Sequence, residues 1–419
     1  MRFHTLISIF LATLGAGSGQ SVLMAWADEP RSSPYSLEEI LALAVERSPI
    51  LAEAQGAMKE SRGQQIAAGA YPNPVLSGGA GKGSIRDPST GVSIIEHTVA
   101  VEQPIEWSPK RQARQDAAQA GVAGARAGLE AATLNLMSDI KVAFYQLLLA
   151  QRDAELAAQN VATVEVVLRT ARLRVAAGEA TSFDTMKAGV ELQKAQKEVA
   201  RARNGLLVAK SRLNTLTAGG LGKQFAIEGT FQSLKQELNV DQLVTEAVER
   251  HPALRRLSKL AEQAGLMVEF ERESRIPNIN VMGQYHREAG DESIIAGLTV
   301  PIPVWYRRQG EIETALGAKH RAVAERERAQ NELEQAVIQH AQEVRTAQDQ
   351  LRVFETGLLK QAEQILTVAR TSFRQGAASL LDLLDAQRVY RQTLYEYAQV
   401  SADLSIALVR LERDLGAPL

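Results

Sequence analysis

The sequence contains no cysteine. That excludes disulfides, thiolate zinc sites, thiol nucleophiles and a lipid-modified N-terminal Cys. Aromatic residues make up only 5% of its 419 residues. A chain poor in aromatics and rich in Ala, Glu, Gln and Leu favours long helices over a compact mixed core. Basic excess is missing too: 47 Lys and Arg stand against 49 Asp and Glu, for a formal charge of -2. No nucleic-acid partner is expected from that balance. Beyond the first 30 residues no run is apolar enough to span a membrane as a helix. There is no G-x-S-x-G and no H-E-x-x-H. Gly81-Lys82-Gly83-Ser84 lacks the spacing of a phosphate loop. No catalytic residues and no cofactor are therefore expected, and a secreted enzyme on a helical scaffold is disfavoured.

At the N-terminus, Arg2 precedes an apolar run from Leu6 to Leu14, and Ala25-Trp26-Ala27 follows. A basic start, a short apolar stretch and an A-x-A site predict a cleaved secretory signal over 1–27.

The rest of the chain is written twice. Ala44-Val45-Glu46-Arg47-Ser48-Pro49 returns as Ala247-Val248-Glu249-Arg250-His251-Pro252. Pro104 to Gln112 returns as Pro301 to Gln309, and Gly178 to Ala188 as Gly376 to Ala386. Three ordered matches about 200 residues apart, with a weaker fourth from Tyr71-Pro72-Asn73-Pro74 to Ile276-Pro277-Asn278-Ile279, predict an internal duplication. The expected domains are a first repeat over 28–217, a Gly-rich linker or equatorial segment over 218–238 and a second repeat over 239–419. Each repeat reads as a moderate helix (36–69 and 241–274), two extended segments, a very long helix (109–176 and 307–375) and a return helix (182–217 and 380–415).

The extended segments alternate. Ile279, Val281, Gly283 and Tyr285 interleave with Asn280, Met282, Gln284 and His286. Ile294, Ala296 and Leu298, and Ile95, Val99 and Val101, behave alike, whereas Asn73 to Ser84 is weakened by glycine. Each run suits a tilted membrane strand with one lipid face and one wet face. Ordinary half-buried hairpins remain the alternative on pattern alone. The long segments carry heptads: Ile140, Leu147, Ala154, Val161, Leu168 and Val175 form one seam and Ala143, Ala150 and Ala157 sit in the other. One helix over 109–176 would reach about 100 Å, and each return helix stacked on a moderate helix would match it. That predicts a tube. Four membrane strands leave two open edges, which hydrocarbon does not tolerate, so an oligomer is required.

These residues resemble the TolC-type outer-membrane efflux proteins, and look most like the outer-membrane components of heavy-metal exporters of the CzcC/CusC kind. The motifs are Tyr71-Pro72-Asn73-Pro74, Glu102 to Trp107 with Lys110-Arg111, Ala143 to Gln151, and the two Gly-to-Asp turns. The resemblance covers about 36–415. It implies a mixed fold, a membrane β-barrel on an α-helical barrel, with four strands per protomer and a homotrimer closing twelve. It implies outer-membrane lipid around the barrel, a periplasmic adaptor (membrane fusion protein) and an inner-membrane pump, often of the RND class. It also implies a passive duct opened when the helix tips splay apart. By the same resemblance Asp382 and Asp385 ring the periplasmic entrance, with Asp184 the repeat counterpart of Asp382, and the tips at Gly178 and Gly376 meet the adaptor. Lys187 stands where a second Asp would double the ring. The residues alone leave open that these Asp side chains are helix N-terminal charges favoured by the dipole, and that the two glycines only supply turn conformations. Metal export is the expected role. Drug efflux, type I secretion and a soluble periplasmic coiled-coil scaffold are the rivals.

The histidines outside the signal, His97, His251, His286, His320 and His340, show no paired helical spacing and no acidic partner at ligand spacing. His286 with Glu288, Asp291 and Glu292 reads as a solvated loop, and no metal site is expected.

Overall fold

The computed structural model describes residues 33–234, 237–288 and 290–419. The signal expected over 1–27 lies outside the described residues. The chain begins with α1 (Leu37–Arg47) and α2 (Pro49–Gly69). Ser36 caps α1 in a reciprocal box with Glu39. A single helix over 36–69 was expected, and the break has a simple cause. Proline disfavours the helical conformation in the residue before it, and Ser48 is extended. The second half breaks the same way: α5 (Val240–Arg250) ends at extended His251, and Pro252 opens α6 (Pro252–Glu273).

The first long helix, α3 (Ser108–Ala176), runs unbroken for 69 residues, about 100 Å at helical rise. It returns through α4 (Ser182–Leu216). Its counterpart is interrupted. α7 (Gln309–Val353) passes through a π-turn (Phe354–Leu358) into α8 (Leu359–Arg374), and α9 (Leu380–Leu415) returns. The four strands β1 (Val75–Arg86), β2 (Ser93–Ile105), β3 (Ile279–Glu288) and β4 (Asp291–Thr299) form one antiparallel sheet in the order β1-β2-β3-β4. The hairpins of the two halves thus meet through β2 and β3.

Three apolar clusters hold the helices together. Ile140, Phe144, Leu147 and Leu213 bury with Phe225 and Ile227 from the stretch after α4. That stretch also bridges Tyr35 to Ile227, so part of it is core. Val337, Val344, Leu404 and Leu411 form the second cluster. Val167, Leu168, Phe373, Leu380 and Leu383 form the third, where the ends of the two long hairpins pack on each other.

Candidate functional site

The sheet has two unlike faces. Antiparallel register sets Leu76, Val101, Gly283 and Ala296 in one row and Gly78, Val99, Tyr285 and Ile294 in the next. On this face Leu76 is 73% exposed, Ile294 85% and Leu298 72%. The other face carries Glu96, Thr98, Glu102, Gln284, His286 and Glu288. A bare apolar face opposite a polar one is the pattern of a barrel wall with lipid outside and water inside. Among the described residues β1 pairs only with β2 and β4 only with β3. Both edges therefore need strands from elsewhere. Each backbone group left unpaired in hydrocarbon costs several kcal/mol, more than any single contact in the sheet returns.

Where the sheet joins the helices, the motifs singled out in the sequence touch one another. The Glu106 carboxylate, 3% exposed at its side chain, takes both terminal nitrogens of Arg114 at 2.6 and 2.8 Å. Arg114 Nε and Arg111 also donate to the carbonyls of Ala68 and Gly69 that end α2. Arg111 lies 4.0 Å over the Tyr71 ring, and Gln103 donates to the Pro72 carbonyl. The charged pair and the orphan carbonyls satisfy each other, which fixes the angle at which α3 leaves β2.

The far ends of the hairpins carry the sequence-predicted residues. Gly178 and Gly376 have φ of 78° and 80°. The amide of Glu179 reaches back to Arg174 O and that of Ala377 to Ser372 O, so both long helices close in the same left-handed cap. Asp184 and Asp382 occupy one further shared role. Asp184 accepts from the Thr181 amide and hydroxyl, and Asp382 from those of Ser379 at 2.9 and 2.7 Å. The Ser379 hydroxyl, then its amide, hold the exposed Asp382 carboxyl below the usual range. Asp385 is exposed and paired with Arg388 one turn on. Asp382 and Asp385 line one groove between α8 and α9 with Ile365, Val368, Leu381 and Val389, whereas Asp184 belongs to the neighbouring hairpin. Arg174 was not singled out in the sequence. It lies 5.0 Å over the Phe373 ring and 3.6 Å from Glu179, tying the two tips together. Nothing in its spacing marks it, because its partner is 199 residues away.

Two histidines differ from their sequence reading. His340 has an acidic partner after all: Nδ1 lies 2.6 Å from Asp414 Oδ2, buried between α7 and α9. His286 is not in a loop. β3 runs through Glu288 and β4 begins at Asp291, and the ladder brings Glu96 from the other half of the chain beside it. Sequence separation hid both pairings.

Comparisons with known proteins agree with this geometry. The family model described as "Outer membrane efflux protein" matches residues 40–219 and 243–417. The chain is 26% identical over 408 residues to the cobalt-zinc-cadmium resistance protein CzcC of Cupriavidus metallidurans, covering 97% of this chain and 95% of that one. It is 25% identical over 323 residues to the nickel-cobalt-cadmium resistance protein NccC of Alcaligenes xylosoxydans, covering 75% and 69%. The crystal structure of the outer membrane protein VceC from Vibrio cholerae superposes with a TM-score of 0.77 at 19% identity, over 91% of this chain and 96% of that one. The chain belongs to the outer membrane efflux protein family: it is an outer-membrane channel reaching into the periplasm, and not an enzyme.

Proposed function

We propose that the protein is the outer-membrane duct of a tripartite exporter of heavy-metal cations. Three copies would close a twelve-stranded barrel, each built from repeats 28–217 and 239–419 joined by 218–238. A periplasmic adaptor and an inner-membrane pump of the RND class complete the path, and the pump supplies the energy. The observation that carries the duct is the four-stranded sheet with an apolar outer face and two edges that only further copies can pair. The metal reading rests on similarity along nearly the whole chain to a relative named for cobalt, zinc and cadmium resistance.

On this reading Asp382 and Asp385 face the narrow periplasmic entrance. Carboxylates repeated around a pore favour cations and disfavour anions. Arg388 tempers the charge of Asp385, which leaves Asp382 the stronger contributor. The tips around Gly178 and Gly376 are the adaptor contact. Entry requires the tips to part, and the Arg174 stack on Phe373 is a contact in the way. A deletion strain challenged with zinc, cobalt, cadmium, copper, silver and common antibiotics tests the cargo. Sensitivity to divalent metals, restored by the gene, is expected. Sensitisation to antibiotics alone would move the assignment to organic cargo.

A further inference from the structure

We propose that Glu96, His286 and Glu288 form a binding site for a divalent transition-metal ion on the polar face of the sheet, near its hairpin end. One ligand atom from each residue lies within 4.8 Å of the others. Two atoms sharing one ion at about 2.1 Å stand roughly 3–4 Å apart, so closure needs only side-chain rotation.

Three further observations point to a cation. First, the ladder pairs His97 with Arg287 and Thr98 with His286. Glu96 and Glu288 are the next residues along the two strands, and a carboxylate oxygen of each lies within 4.8 Å of the other. Two carboxylates held this close disfavour each other's charge, and a shared cation reverses the sign. Second, the ring of His286 is already oriented. Its Nδ1 lies 3.4 Å from the Thr98 hydroxyl, and its Nε2 faces Glu288 Oε2 at 3.8 Å. A ligating histidine is commonly fixed by such a contact through its other nitrogen. Third, the group is shielded, with side chains 30% exposed at His286 and 13% at Glu288. The ladder neighbours on this face are Gly81 beside Glu96 and Asp291 beside Glu288, which adds another carboxylate.

The donor set selects the ion. One imidazole with two carboxylates suits zinc, cobalt, nickel or cadmium, and the imidazole disfavours magnesium and calcium. With three protein ligands, water completes the shell, so the ion is held but exchangeable. The face is the one that lines the lumen in a closed barrel, so each chain would place one ion along the wall near the exit. The site is complete within one chain and does not rest on the cargo reading.

The test is titration of the intact, metal-stripped oligomer in detergent with Zn(II) by calorimetry, and with Co(II) followed by its visible absorption. One ion per chain is expected. His286→Gln and Glu288→Gln should weaken binding by about tenfold or more, and Thr98→Val by about tenfold through loss of ring orientation. Glu288→Gln keeps the side-chain volume, and heat-modifiable mobility reports that each variant still assembles. Glu292→Gln, which pairs with Arg287 on the opposite face, should leave the titration unchanged. Unaltered stoichiometry and affinity in His286→Gln and Glu288→Gln, equal loss in Glu292→Gln, or no Zn(II) uptake by the wild-type protein would each overturn the site.

Discussion

The two halves of the chain share their backbone punctuation and differ in their polar chemistry. Ser48-Pro49 and His251-Pro252 break the same helix at the same place. Gly178 and Gly376 close the same cap. Yet Pro104 to Gly178 is one residue shorter than Pro301 to Gly376, and the longer half contains the π-turn at Phe354–Leu358. A π-turn closes i to i+5, so it absorbs one additional residue while the helix on either side keeps its register. Phe354 is buried there, edge-on to Tyr397. Ahead of that turn His340 corresponds to Ala143, and beyond it Asp414 corresponds to Leu216. The wall of the tube demands equal lengths and equal turns from both halves. It does not demand equal side chains at the equator, and the second half has put ionisable groups where the first has apolar ones.

The largest test of that difference is Asp414. It is 3% exposed and takes His340 at 2.6 Å and Arg413 at 2.7 Å. Burial alone would raise its pKa, but the hydrogen bonds from His340 and Arg413 outweigh it and hold the carboxyl below the usual range. Asp414→Ala should cost about 3–5 kcal/mol in chemical unfolding, because breaking a buried pair strands the partner. The pair His340→Ala with Asp414→Leu recreates the first half's chemistry and should recover most of the loss. Failure to recover would mean that the two equators pack differently.

The next test is pH. His251 accepts the Ala253 amide on Nδ1 and so caps α6 as a neutral ring. Burial, the largest influence, lowers its pKa, against the opposing pull of the Arg413 carbonyl and Asp414. The unfolded chain, with histidine near 6.5, therefore binds more protons as pH falls below about 6.5. The His251 contribution to stability should fall away from that pH downward, and the depressed Asp414 adds its own loss only below about 4. The Asp153 carboxyl, pushed up to about 6 by burial, works the other way as the pH falls through that value. Melting temperatures at pH 7.5 and 5.5 should differ for the wild type. The difference should shrink in His251→Ser, which copies Ser48.

Much of this was legible in the sequence, and the reason is local. Proline, glycine and the heptad seam act within a few residues, so the helices over α3, α4 and α9 fall within a residue or two of their expected bounds. Strand alternation likewise gave the two faces of the sheet. The π-turn was not read, although the repeat offsets before and after it differ by one. Arg174 on Phe373, His340 on Asp414 and Glu96 beside His286 were not legible either. Each joins residues far apart in sequence, and only the closed fold sets their distance.

A smaller test asks whether the shared punctuation is truly equal. Gly178→Ala and Gly376→Ala should each cost about 1 kcal/mol, the penalty of a side chain at left-handed φ. A much larger cost at Gly376 would implicate Arg174, whose Nη2 lies 3.7 Å from where the new Cβ would sit.

The smallest effect on folding, and the sharpest on function, concerns the acidic caps. Asp184 and Asp382 make matching hydrogen bonds at the start of their helices, so stability cannot tell them apart. Ion selectivity can. Asp382 shares its groove with Asp385, whereas Asp184 is followed by Lys187 one turn on. Held below the usual carboxylate range by Ser379, Asp382 stays charged to lower pH than a free aspartate. In planar bilayers, Asp382→Asn with Asp385→Asn should reduce the preference for cations, and Asp184→Asn should leave it nearly unchanged. Equal shifts from both would mean that the two hairpins contribute alike to the entrance. No shift from either would leave Asp184 and Asp382 as helix caps and Asp385 as the partner of Arg388, and remove the acidic ring from the mechanism.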